Sequence, residues 1–169
     1  MNYSYSTQEI KKIATSTIAK SETNDCFVKA LASAADVDYD TAHSYTKEKF
    51  GRQDKKGTMN YQIIKTMAEL QQNGMEIGSK KFTVEVLPTP LLTNRYKVHG
   101  KVYDRKKTVK SFIKSLPQGS FIVCVSNHAF AVKDGILIDN KGEEFRPTRK
   151  VLAAYALQEK PIYKQLELF

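Results

Sequence analysis

Apolar residues recur at helical spacing in the first half of this chain and at strand spacing in the second. Residues 7–20 carry Ile10, Ile13 and Ile18 with nearby alanines, a loose stripe that predicts a first helix. Residues 21–25 are turn formers. From Cys26 onward Phe27, Ala30, Leu31 and Ala34 fall on one helical face, and Asp25 stands where a helix cap belongs. A short helix is expected over 39–50, ended by Gly51. Residues 60–72 hold the clearest amphipathic pattern, with Ile63, Ile64, Met67, Ala68 and Leu70, and stop at Asn73-Gly74.

The character then changes. Phe82, Val84 and Val86 alternate within 81–87, as a half-buried strand requires. Pro88 and Pro90 mark a turn. Residues 95–103 are ambiguous, with a second strand one reading. Thr108 suits the N-cap of a short helix over 109–116, closed by Pro117 and Gly119. Residues 120–125 form a near-continuous apolar strand. Two more strands, 128–133 and 136–139, flank Asp134-Gly135, a dipeptide that favours a tight hairpin turn. A final helix over 148–157 and a short strand over 162–166 complete the prediction. Helices first and strands later predict an α+β fold of one domain, 1–169, in which an N-terminal helical lobe packs on a C-terminal antiparallel sheet.

Composition narrows the class. The chain has 169 residues, 41% of them hydrophobic and 27% charged, the balance of a globular domain with a real core. No apolar run approaches the roughly 18 residues that cross a bilayer. The opening residues Met1 to Ser6 lack the basic and apolar regions of an export signal, so a cytoplasmic rather than secreted protein is expected. The two cysteines, Cys26 and Cys124, are then expected to be reduced. The formal charge of +9 is concentrated: residues 80–114 hold ten Lys/Arg against Glu85 and Asp104. A solvated face is the simpler reading of that segment. The other is a site for an acidic partner, either nucleic acid or an acidic protein surface, and Phe82, Tyr96, Tyr103 and Phe112 interleave with the charges.

The candidate chemistry lies in two segments. If Asp134-Gly135 is a two-residue turn, Lys133 opposes Ile136, Ala131 opposes Ile138 and Phe130 opposes Asp139. His128 shares a face with Phe130 and therefore with Asp139, which lies diagonally within reach of the imidazole. A bulge would invert the parity and promote Asn140 instead. Cys26 follows a polar turn at a helix start, where a thiol's pKa falls and an imidazole can complete its activation. Cys26 is thus the candidate nucleophile, His128 the general base and Asp139 the group that fixes the imidazole. The Cys26 backbone N–H and the Asn24 side chain are candidates to hold an oxyanion, with Ser21 or Thr23 as alternatives to Asn24. Cys124, between Val123 and Val125, reads as core. His43 and His99 read as surface residues. The Cys and His spacing fits no zinc motif, and there is no Gly-rich phosphate loop, so no metal and no cofactor is expected.

These residues resemble the papain-like cysteine peptidase superfamily. Asn24-Asp25-Cys26-Phe27-Val28-Lys29-Ala30-Leu31 is similar to the nucleophile segment of ovarian-tumour-type deubiquitinases. The stretch 108–140, with its short helix, Pro-Gln-Gly turn, apolar strand, His-Ala-Phe-Ala-Val and Asp-Gly hairpin, resembles small cysteine peptidase-like proteins encoded by bacteriophages. The pattern departs at Lys20, where papain has a glutamine, and at Thr23, where the deubiquitinases have an aspartate. The resemblance implies a papain-like fold, the triad Cys26, His128 and Asp139, and a phage protein of the host cytoplasm or virion. It also implies a thiol-dependent hydrolase acting on a protein or peptide substrate, and the basic segment hints at an acidic or ubiquitin-like one. Acyl transfer to an amine by the same triad is an alternative. So is an inactive papain-like module that binds an acidic protein or nucleic acid through 80–114. Oligomeric state is left open.

Overall fold

The structure, a computed structural model, describes residues 4–6, 10, 14–139 and 146–161. Its helices, in chain order, are α1 (Thr17–Ser21), α2 (Cys26–Ala35), α3 (Tyr39–Phe50), α4 (Asn60–Asn73), α5 (Thr89–Leu92) and α6 (Val109–Ser115). The strands are β1 (Ser4–Ser6), β2 (Met75–Ile77), β3 (Lys80–Val86), β4 (Thr93–Val98), β5 (Lys101–Lys106), β6 (Ser120–Val125), β7 (His128–Lys133), β8 (Ile136–Ile138) and β9 (Ala153–Glu159). The fold is α+β. Seven strands form one sheet in the order β1-β8-β7-β6-β9-β3-β2, and β4 and β5 pair by themselves. Among the described residues all pairings are antiparallel except β1 with β8, a parallel edge that the strand pattern did not announce.

The sheet carries a core on each face. Helices α2, α3 and α4 cover one face with Phe27, Leu31, Phe50 and Met67 against Ile122, Ala131 and Tyr155. Helix α2 packs on β7 and β6 through alanines on both sides, Ala30 and Ala34 on the helix and Ala129 and Ala131 on the strand. Small residues at such a contact let a helix lie close to a sheet. The other face is closed by Val109, Phe112 and Ile113 of α6 over Val123, Phe130, Val132 and Leu137. Thr108 caps α6, its hydroxyl accepting from the Ser111 N–H at 3.2 Å.

Three expectations need correction and one open reading is resolved. The helix expected over 148–157 is strand β9, inserted between β6 and β3. Its alanines and leucine favour a helix locally, but Ala154 packs into one core and Tyr155 and Leu157 into the other. Burial on both faces of a central strand outweighs a preference of a few tenths of a kcal/mol per residue. The helix expected over 7–20 is interrupted in its described part: Ile10 is helical and buried and accepts from the Ala14 N–H at 3.0 Å, but Ser16 is extended and caps α1, accepting from the Ala19 N–H at 3.0 Å, and Ile18 is exposed. Ile64, placed on the apolar face of α4, points to solvent. The ambiguous 95–103 belongs to the β4–β5 hairpin, which turns at His99-Gly100, both with positive φ. The strand expected over 162–166 lies outside the described residues. Among the described residues no helix is long and apolar enough to cross a membrane.

Candidate active site

Three turns assemble the site. Asn24 and Asn127 both take left-handed backbone angles, φ 54° and φ 57°, the conformation that asparagine tolerates better than most side chains. Asn24 reverses the chain just before α2 and so presents Cys26 at the helix start. Asn127 closes the β6–β7 hairpin, in which Val125 opposes His128. Asp134 and Gly135 close the next hairpin with positive φ at both positions, 49° and 79°, as a type I′ turn requires. Asp134 also accepts from the Gly119 N–H at 2.9 Å, which ties that turn to the start of β6. Across β7 and β8, Lys133 opposes Ile136 and Ala131 opposes Ile138. This is the pairing that a two-residue turn dictates, and it sets Asp139 one step beyond β8, diagonal to His128.

The structure brings Cys26, His128 and Asp139 together. His128 Nε2 lies 2.9 Å from Asp139 Oδ2, with both side chains largely buried. The Cys26 thiol hydrogen-bonds the same imidazole, and the N–H groups of Ala129 and Phe27 donate to its sulfur. With Nε2 on the carboxylate, the imidazole nitrogen left to meet the thiol is Nδ1. Burial by itself would raise the thiol's pKa, but these hydrogen bonds and the imidazole's charge outweigh it, and the net shift is downward. Burial likewise opposes the imidazolium, yet hydrogen bonds to Asp139 and Cys26 and their negative charges carry His128 up to about 9. The two shifts favour a thiolate beside an imidazolium over a neutral pair. The buried Cys124 lies below, pushed up to about 12 by burial and by the charge on Cys26, and stays a thiol.

A cleft of about 540 Å³ opens over the sulfur, lined by Asn24, Thr58, Met59, Tyr61, Asn127 and Ala129 among others. Asn24 reaches this cleft, but its side-chain amide donates to the Lys55 carbonyl at 3.2 Å. The first-turn N–H groups of α2 have no partners within the helix, so Cys26 contributes a donor at this end by geometry. Asp25 occupies the cap position without capping: its carboxylate accepts from the Tyr39 hydroxyl at 2.7 Å and pairs with Lys29 at 3.3 Å. The oxygens are drawn inward, and the cap position alone did not foretell this. Asn140 lies outside the described residues.

Sequence reading missed the groups that hold the nucleophile loop. Arg52 is buried with its guanidinium on Glu22 and donates to the Thr23 carbonyl at 3.2 Å. The Lys55 N–H donates to Glu22, and the Thr23 hydroxyl and Asn24 amide both donate back to the Lys55 carbonyl. His43, expected at the surface, is only 6% exposed, with Nε2 3.6 Å from Glu22 and 3.5 Å from Asp54. These acidic and imidazole atoms lie within 4.8 Å of one another. Arg52 already neutralises Glu22 and Lys47 neutralises Asp54, so little net negative charge remains for a cation. Burial raises the Glu22 carboxyl's pKa, but the Arg52 and Lys55 contacts and charges outweigh it and hold it below the usual range. A polar staple between 22–25 and 52–55 results.

No family model, curated protein or solved structure matches the chain.

Proposed function

We propose that the protein is a papain-like thiol hydrolase that cleaves a peptide or isopeptide bond through an acyl-enzyme on Cys26. The observation that carries this reading is the continuous hydrogen-bonded chain from the Cys26 sulfur through His128 to Asp139 at the mouth of a cleft. In the first half-reaction the Cys26 thiolate attacks the substrate carbonyl carbon. The developing oxyanion is met by the Cys26 N–H, with Asn24 beside it. The His128 imidazolium gives its proton to the departing amine as the C–N bond breaks, leaving a thioester. Water then attacks that thioester while His128 takes up a proton, and the carboxylic acid and free thiol are released. Asp139 stays ionised and holds the imidazole in the useful tautomer throughout. The protein would act in a reducing compartment, because the thiol must stay free.

The test is iodoacetamide labelling of Cys26 read by mass spectrometry across pH, in the wild type and in His128→Ala, followed by terminal-amine profiling of a proteome-derived peptide mixture. Fast labelling well below an ordinary thiol's pKa, lost in His128→Ala, together with new amine termini absent in Cys26→Ala, is expected. Slow labelling unaffected by the mutation would sink the proposal. Products carrying an added amine in place of water would assign acyl transfer instead.

A further inference from the structure

We propose that the β4–β5 hairpin is an arm that binds single-stranded nucleic acid. Residues 80–114 do not act as one basic face, because the structure divides them. Phe82 and Phe112 are buried core residues, whereas Tyr96 and Tyr103 are 37% and 43% exposed. Both strands of the hairpin are exposed along nearly their whole length, on both of their faces. The arm is rooted firmly, since Leu92 is buried at its base and the Lys107 N–H donates to the Leu92 carbonyl at 2.8 Å.

The register sorts the side chains. Asn94 opposes Arg105, Tyr96 opposes Tyr103 and Val98 opposes Lys101, so these six share one face. The two tyrosine rings stack, with centroids 5.6 Å apart and planes 23° from parallel, and the Arg105 guanidinium lies 5.1 Å from the Tyr96 ring centre. The arm's one carboxylate, Asp104, lies on the opposite face and is taken by Arg95 at 3.1 Å. The aromatic face therefore carries cations and no acid, with Lys97 and Lys106 available from the other face.

This chemistry favours a polyanion with exposed π faces. Stacked tyrosines beside an arginine offer a platform for unpaired bases, and the cations answer the phosphates. A duplex keeps its bases stacked inside and would meet only the cations. An acidic protein would likewise use the charges and leave the rings idle.

The test is fluorescence anisotropy with a labelled mixed-sequence single strand of about 12 nucleotides, long enough for one such platform. Binding should weaken with salt, with a log–log slope of about −0.7 for each phosphate contact. Tyr96→Ala and Tyr103→Ala should each weaken it by about 10-fold, as loss of one stacked base does. Arg105→Ala should make the salt slope shallower. An unchanged Cys26 alkylation rate in these variants shows that the fold is intact, and unchanged binding by Cys26→Ala separates this property from the thiol chemistry. The proposal is overturned if the wild type does not bind, if the tyrosine variants bind equally well, or if the duplex, polyglutamate or anionic vesicles bind as tightly as the single strand.

Discussion

Around Cys26 the main charged groups are buried and paired: Arg52 with Glu22, His128 with Asp139 and the thiol, Asp25 with Tyr39 and Lys29. Along β4–β5 the charges stand in water, and the single ion pair, Arg95 with Asp104, is solvent-exposed. The same residue types do different work in the two places. In the interior a charge without its partner is costly, so each group constrains where the next must sit, and the loop before α2 is tied to 52–55 at several points. On the arm the solvent pays for each charge separately, and an exposed pair contributes at most about 1 kcal/mol. One region fixes its groups against one another around the thiol. The other is free to meet a partner.

The sharpest way to break this contrast is to remove one member of the buried staple. Arg52→Ala leaves Glu22 buried without a counter-charge and should destabilise the protein by about 3–5 kcal/mol, read from urea unfolding. A loss below about 1 kcal/mol would show that Glu22 finds water instead. A core truncation of similar cost, Phe27→Ala at about 3–5 kcal/mol, gives the scale for pure packing on the same helix.

Next in size is the effect on reactivity. His128→Ala should slow Cys26 alkylation at pH 6.5 by about 10- to 100-fold, since an ordinary thiol is only about 1% ionised there. Asp139→Asn keeps the shape and removes the charge. The imidazolium, held up to about pH 9 in the wild type, should then lose its proton at lower pH. The alkaline limit of any hydrolysis would move down with it; a pH profile identical to the wild type's would remove Asp139 from the relay.

The same shifts make a linked stability effect with a definite sign. His128 binds its proton more tightly folded than unfolded, so its contribution is full below about pH 6.5 and is lost as the pH rises through about 9. The Cys26 shift runs the other way: its contribution is present above the ordinary thiol value and is lost as the pH falls through the lowered one. Because the two run in opposite directions, the clean comparison omits the thiol: urea midpoints of Cys26→Ala and of the double variant Cys26→Ala, His128→Ala should converge as the pH rises above about 6.5, and a constant gap would refute an imidazolium held by Asp139. The smallest effect belongs to the arm, where Arg95→Ala should shift the urea midpoint by no more than the error of the measurement. A larger loss would mean that the hairpin is part of the folded core.

Much of this architecture was legible in the chain. Period and turn chemistry located α2, α3, α4, α6, β3, β6 and the β7–β8 hairpin, because each is specified within a dozen or so residues by its own burial pattern and its own caps. The same local logic put Cys26 at a helix start and Asp139 on the face of His128, since register follows from a two-residue turn. Non-local facts were out of reach. That 153–159 is a strand depends on β6 and β3 standing on either side of it, so its local helical preference had no say. That His43 is buried depends on Glu22 and Asp54, which come from two other loops. That Phe82 and Phe112 turn inward while Tyr96 and Tyr103 stay outside depends on which elements cover them. Sequence alone determined the elements whose burial pattern and caps are local, and the parity of their side chains, because those follow from neighbouring residues. Only the tertiary structure decided which charges are buried together and which aromatic faces remain in water, because burial is a property of everything that packs against a residue.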